Sequence, residues 1–92
     1  MSPETRIRRN PEVIAAEALG ESVLLNPQTW TYLSFNETAT WVWRLLEQPR
    51  SLEWLVCAAQ DKYRAAPQEI QEDLGEFLET AAEEGFLLRE RA

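Results

Sequence analysis

The sequence predicts an α+β domain in which a three-stranded antiparallel sheet is followed by three helices. Aromatic and β-branched runs separated by turn residues fill the first third of the chain, and after Asn36 the apolar residues change to helical spacing. With 92 residues, 45% of them apolar, the chain can build one hydrophobic core and no second.

Residues 1–10 carry Arg6, Arg8 and Arg9 among small polar residues with no sustained apolar period, which reads as a flexible tail ahead of a domain spanning 11–88. Residues 13–19 are the first expected strand. Gly20-Glu21 then fits a two-residue turn with glycine first, and Ser22-Val23-Leu24-Leu25 the second strand. Asn26-Pro27-Gln28 signals a turn, after which Trp30-Thr31-Tyr32-Leu33-Ser34-Phe35 forms the third strand.

Asn36 is a good N-cap, and Ala39, Val42, Trp43 and Leu46 follow at i, i+3, i+4 and i+7, so a first helix is expected to about Glu47. Pro49 breaks it. Ser51 caps a second helix with Leu52, Leu55, Val56, Ala59 and Tyr63 on one face and Cys57 beside that face as a small packing residue. Pro67 suits the first turn of a third helix, whose stripe is Ile70, Leu74, Phe77, Leu78 and Ala81 and whose end is marked by Gly85.

Composition narrows the function. Sixteen acids against nine bases leave a formal charge of −7, which repels nucleic acid and anionic lipid. The apolar stretches are far short of the roughly 20 residues that span a bilayer, the N-terminus lacks a signal-peptide core, and a lone cysteine suits reducing conditions. A cytoplasmic protein without membrane contact is expected. With no His and one Cys, the chain lacks the means for the usual zinc sites, a Ser-His-Asp triad or a Cys-His pair. Its three glycines are scattered and form no phosphate cradle. We therefore expect a binding module rather than an enzyme, with no cofactor and no metal.

Two features point to a ligand. Between Pro67 and Glu84 every charged residue is acidic: Glu69, Glu72, Asp73, Glu76, Glu79, Glu83 and Glu84. Like charges at i, i+4 cost a helix roughly 0.2–0.5 kcal/mol per pair, so the one-sided pattern suggests a cationic partner; a solvated acidic face is the plainer reading. The third strand, if it lies at a sheet edge, offers unpaired backbone groups to an extended peptide, with Trp30, Tyr32 and Ser34 on one face and Thr31, Leu33 and Phe35 on the other. The same run also fits an ordinary buried strand.

The ordered signals carry a family resemblance. Asn10-Pro11-Glu12-Val13, Val23-Leu24-Leu25-Asn26-Pro27, Phe35-Asn36-Glu37-Thr38-Ala39, Val42-Trp43-Arg44-Leu45-Leu46, Arg50-Ser51-Leu52-Glu53, Glu72-Asp73-Leu74-Gly75-Glu76-Phe77-Leu78 and Glu84-Gly85-Phe86-Leu87 together resemble the PqqD-like family. Members are leader-recognition domains in the biosynthesis of ribosomally made, post-translationally modified peptides. Ala39, where the family often has glycine, and Gln48-Pro49, in place of a common Asp-Gly turn, depart from the pattern at the two ends of the first helix.

The resemblance implies a winged helix-turn-helix-like fold in which a precursor's leader peptide joins the third strand as an added antiparallel strand, held against the last helix. That assigns peptide binding to Trp30, Thr31, Tyr32, Leu33 and Ser34, and to Asp73, Leu74, Phe77 and Thr80; Glu76 joins them as an acid expected to meet basic peptide residues. It also implies a cysteine leader peptidase as a second partner, as in lasso-peptide clusters. Service to pyrroloquinoline quinone or another modified-peptide pathway is the alternative within the family. A winged-helix DNA-binding regulator is the alternative outside it, although neither candidate recognition helix is basic.

Overall fold

A computed structural model describes residues 1–90. In chain order the elements are β1 (Arg6–Arg9), β2 (Ile14–Ala18), β3 (Glu21–Asn26), β4 (Thr31–Phe35), α1 (Glu37–Leu45), β5 (Arg50–Ser51), α2 (Leu52–Tyr63), α3 (Pro67–Glu83) and β6 (Leu87–Glu90). The expected three-stranded sheet is β2-β3-β4, antiparallel throughout, and a second small sheet has the order β5-β1-β6. The fold is α+β.

The second sheet corrects the expectation of a tail over residues 1–10. Arg6–Arg9 form a strand that pairs with both β5 and β6, and Ile7 is fully buried in the core. A four-residue strand with a single inward apolar side chain has no period to read. It is held by pairing to residues far away in the chain, Arg6 with Ser51 and with Glu90. Arg9 anchors it further. Its Nε and Nη2 donate to the Trp43 carbonyl at 3.0 and 2.6 Å, and its guanidinium lies 4.6 Å from the centre of the Trp43 ring. The charged side chain thus satisfies a carbonyl in the last turn of α1.

The β2–β3 hairpin turns one residue earlier than expected. Ala18 pairs with Glu21, so the turn residues are Leu19 and Gly20, with φ of 55° and 81°. Both central residues are left-handed, as in a type I′ turn. The register explains the shift: Ala15 lies opposite the buried Leu24, and Glu17 lies opposite Ser22, where its carboxylate accepts from Arg44 Nε at 2.7 Å. A turn at Gly20-Glu21 would set Glu17 opposite Leu24 and away from this partner, at a desolvation cost. On the same side, Ser22 and Thr40 hydroxyls bond at 2.8 Å and fasten β3 to α1.

The helix signals hold. Asn36 Oδ1 accepts from Ala39 N–H at 2.9 Å, and Ser51 Oγ from Trp54 N–H at 3.0 Å. α1 ends at Leu45 rather than near Glu47, with Leu46 as its C-cap. α3 starts on Pro67 and ends in a Schellman arrangement, in which Phe86 N–H donates to the Ala81 carbonyl at 2.9 Å and Gly85 N–H to Ala82 at 3.1 Å. Gly85 sits at φ 84°, and a Cβ there would meet Asn26 Nδ2 at 2.7 Å. The close approach is used: the Gly85 carbonyl accepts from both Asn10 Nδ2 (2.8 Å) and Asn26 Nδ2 (3.2 Å), joining the end of α3 to both sheets. The core between sheets and helices centres on Ile7, Leu24, Leu52, Leu55, Leu78 and Phe86. Each such side chain contributes about 1.5–3 kcal/mol on burial. Cys57, expected to pack beside the α2 face, is exposed.

Candidate functional site

β4 pairs with β3 alone and forms one edge of its sheet. The alternation of an antiparallel ladder fixes which groups are free. Ala18 and Glu21 close the two-residue hairpin as a hydrogen-bonded pair, so Glu21, Val23 and Leu25 bond toward β2, while Ser22, Leu24 and Asn26 bond toward β4. Their partners Phe35, Leu33 and Thr31 spend their backbone groups inward. Tyr32 and Ser34 therefore present N–H and C=O outward along the edge.

The four sheet edges are not equivalent. β5 has two residues, β6 carries Arg89 and Glu90, and β2 carries the inward Glu17 held by Arg44. Short edges and charges of this kind discourage a further strand. β4, with Thr31, Tyr32, Leu33, Ser34 and Phe35, carries no charge.

Beside this edge lies an apolar groove of about 370 Å³ between α1, α2 and α3, walled by Ala39, Trp41, Tyr63, Leu74 and Phe77 with Asp73 among its lining. The Phe77 ring stands edge-on to Phe35 at 5.3 Å, so the last residue of β4 and the middle of α3 meet at one end of the groove. At its other wall, Trp41 packs edge-on to Tyr63 at 5.7 Å, and Lys62 Nζ lies 4.6 Å from the Trp41 ring centre. Leu33 and Phe77 are half-buried, and Leu74 is buried.

The structure thus brings together Thr31, Tyr32, Leu33 and Ser34 on the edge, and Asp73, Leu74 and Phe77 in the groove. Thr80, exposed, continues the Asp73–Phe77 line one turn further along α3. Trp30 precedes β4 rather than lying in it: it closes the β3–β4 turn at φ 57°, three-quarters exposed. Glu76 does not share the groove. It lines a separate acidic one with Glu72, Gly75 and Glu79 on the opposite flank of α3. There the N-terminal ammonium lies 2.9 Å from Glu79 Oε1 and, chiefly through this hydrogen bond, holds the Glu79 carboxyl below its usual range. Trp41 was not foreseen as a site residue. Its signal was a second stripe on α1, Thr38, Trp41 and Leu45, flanking the one that enters the core.

Among the described residues no group of three His, Cys, Asp or Glu side chains is placed to hold a metal ion, and no helix is long and apolar enough to cross a membrane.

Residues 21–87 match the family model for coenzyme PQQ synthesis protein D (PqqD). The chain belongs to the PqqD family. It is similar to the solved structure of "TbiB1 in Complex with the TbiA(beta) Leader Peptide", with 30% identity over 88% of this chain and 94% of the other and a TM-score of 0.81. No curated protein matches the chain.

Proposed function

We propose that this PqqD-family chain binds the leader region of a ribosomally made precursor peptide by strand addition at β4, and presents the precursor to a processing enzyme. The carrying observation is the uncharged β4 edge, with the outward backbone groups of Tyr32 and Ser34, on a strand whose last residue, Phe35, meets Phe77 at the end of an apolar groove. Backbone pairing supplies grip, and side-chain pockets supply choice. Inward side chains of the added strand anchor near Leu33, Leu74 and Phe77, while a basic peptide residue meets Asp73. The likeness to a structure solved with a leader peptide supports this reading.

The processing enzyme is a cysteine leader peptidase of the lasso-peptide type, and the protein itself performs no chemistry. The family description favours one further reading, service to pyrroloquinoline quinone synthesis. Both readings share the peptide site and differ in the precursor. Titrating the purified protein with synthetic leader peptides from each class, without ATP or metal, tests them. Saturable binding to one class is expected. No binding to any leader, or turnover of a precursor by the protein alone, would overturn the proposal.

A further inference from the structure

Four side chains from four elements touch one after another: Arg9 of β1, Trp43 of α1, Phe35 of β4 and Phe77 of α3. The Arg9 guanidinium lies 4.6 Å from the centre of the Trp43 ring, that ring stands edge-on to Phe35 at 6.1 Å, and Phe35 stands edge-on to Phe77 at 5.3 Å. Trp43 and Phe35 are buried, so neither ring turns without moving its neighbours. Phe77 is half-buried and lines the apolar groove.

A half-buried guanidinium gives up part of its hydration, and the fold must return something for it. The Trp43 carbonyl also accepts from Leu46 N–H at 3.1 Å, so it has a partner without Arg9. What the guanidinium adds is a fixed place for the whole residue. Two of its N–H groups hold the Trp43 backbone while the same planar group covers the Trp43 ring. An apolar side chain does neither, and a lysine ammonium, a single point of charge, does both less firmly.

We propose that Arg9 is a positioning residue for the peptide site: acting through Trp43 and Phe35, it sets where the Phe77 ring stands in the groove, and so how closely that ring meets an apolar side chain of the bound peptide. The proposal rests on the strand-addition reading, in which Phe77 is an anchor point. Phe35 is the last residue of β4, so the same row fixes the end of the binding strand and the ring on α3 relative to each other. Arg9 itself is not among the residues lining the groove, and its effect is indirect.

The test compares Arg9→Met and Arg9→Lys with Ile7→Val, which trims the core under the same strand. Circular dichroism melts keep every measurement well below unfolding. Affinity is read by fluorescence anisotropy with the synthetic leader peptide that binds the parent most tightly, and the position of the Phe77 ring by its proton–carbon NMR signals without peptide. Arg9→Met is expected to weaken the leader about tenfold and to shift the Phe77 signals; Arg9→Lys should do both by a smaller amount, and Ile7→Val should leave affinity within about twofold and the signals in place. On a Phe77→Leu background, Arg9→Met should weaken binding by less than about twofold, because the two substitutions act through one contact. Parent-like affinity in Arg9→Met, unmoved Phe77 signals, additive losses with Phe77→Leu, or an equal loss in Ile7→Val would overturn the proposal. If Arg9→Met does not fold, the same comparisons made with Arg9→Lys decide it. Failure of the strand-addition reading looks different: no leader binds the parent, while the Phe77 signals still move with Arg9.

Discussion

Leader binding should alternate residue by residue when the peptide backbone is methylated. Tyr32 and Ser34 each offer one N–H and one C=O along the open edge of β4, so an antiparallel partner gains four hydrogen bonds there. At about 1 kcal/mol net each, the ladder is worth roughly 4 kcal/mol. N-methylating the peptide residue opposite Tyr32 or Ser34 removes one bond and seals the facing carbonyl from water, which costs about 1–3 kcal/mol, a five- to hundredfold rise in Kd. The residue between them turns its own N–H away from β4, and methylation there should cost less than about 0.5 kcal/mol. The protein side gives the matching test. Ser34→Pro deletes only an outward N–H, as an edge strand tolerates, and should stay folded with binding weakened about tenfold. Leu33→Pro deletes an N–H that bonds to β3 and should unfold the sheet. Anisotropy titrations with circular dichroism as the folding control read all of these. Methylated peptides that show no two-residue alternation, or parent-like binding by Ser34→Pro, would refute strand addition in this register.

The groove and the fold give further expectations. Phe77→Ala removes a half-buried ring and its edge contact with Phe35, so urea melts should show a loss of about 2 kcal/mol and leader affinity should fall at least about tenfold. Asp73→Lys should weaken binding of a basic leader and reduce its salt dependence, whereas Glu76→Lys, on the far groove, should change neither. Gly85→Ala faces a left-handed φ and an overlap with Asn26 Nδ2, so about 3 kcal/mol should be lost by thermal or chemical melts. Gly20→Ala meets only the movable Glu37 side chain at 3.4 Å and should cost about 1 kcal/mol. Equal losses at the two glycines would show that the Asn26 contact is not what restricts Gly85.

What the sequence disclosed follows from the range of the forces involved. α1 and α2 announce themselves through a capping side chain, α3 through Pro67 at its start and Gly85 past its end, and all three through an apolar period, local signals that the neighbouring chain does not disturb. β1, β5 and β6 have two to four residues and exist because Arg6, Ser51 and Glu90 meet across most of the chain. No window of neighbouring residues contains that information. The hairpin register sets Glu17 beside Arg44, again a distant partner, and the turn places Gly20 at its second central position, which a left-handed pair suits as well as glycine at the first. In the site, Asp73, Leu74 and Phe77 were legible together because one helix face carries them. Glu76 looked like their neighbour by spacing, yet its direction, about 60° round the helix axis from Asp73, is enough to place it in another groove.

The Gly85 carbonyl, with its two asparagine amides, has a bearing on the proposed peptide site some distance away. It ties the end of α3 to Asn26, the last residue of β3 before the chain turns into β4. At the other end of β4, Phe35 and Phe77 hold the strand and α3 together. The strand and the helix are thus clamped at two points before any peptide arrives. On the strand-addition reading, an incoming leader surrenders its own disorder on binding while the receptor surrenders little, and discrimination between leaders falls to side-chain fit against a pre-set strand and helix.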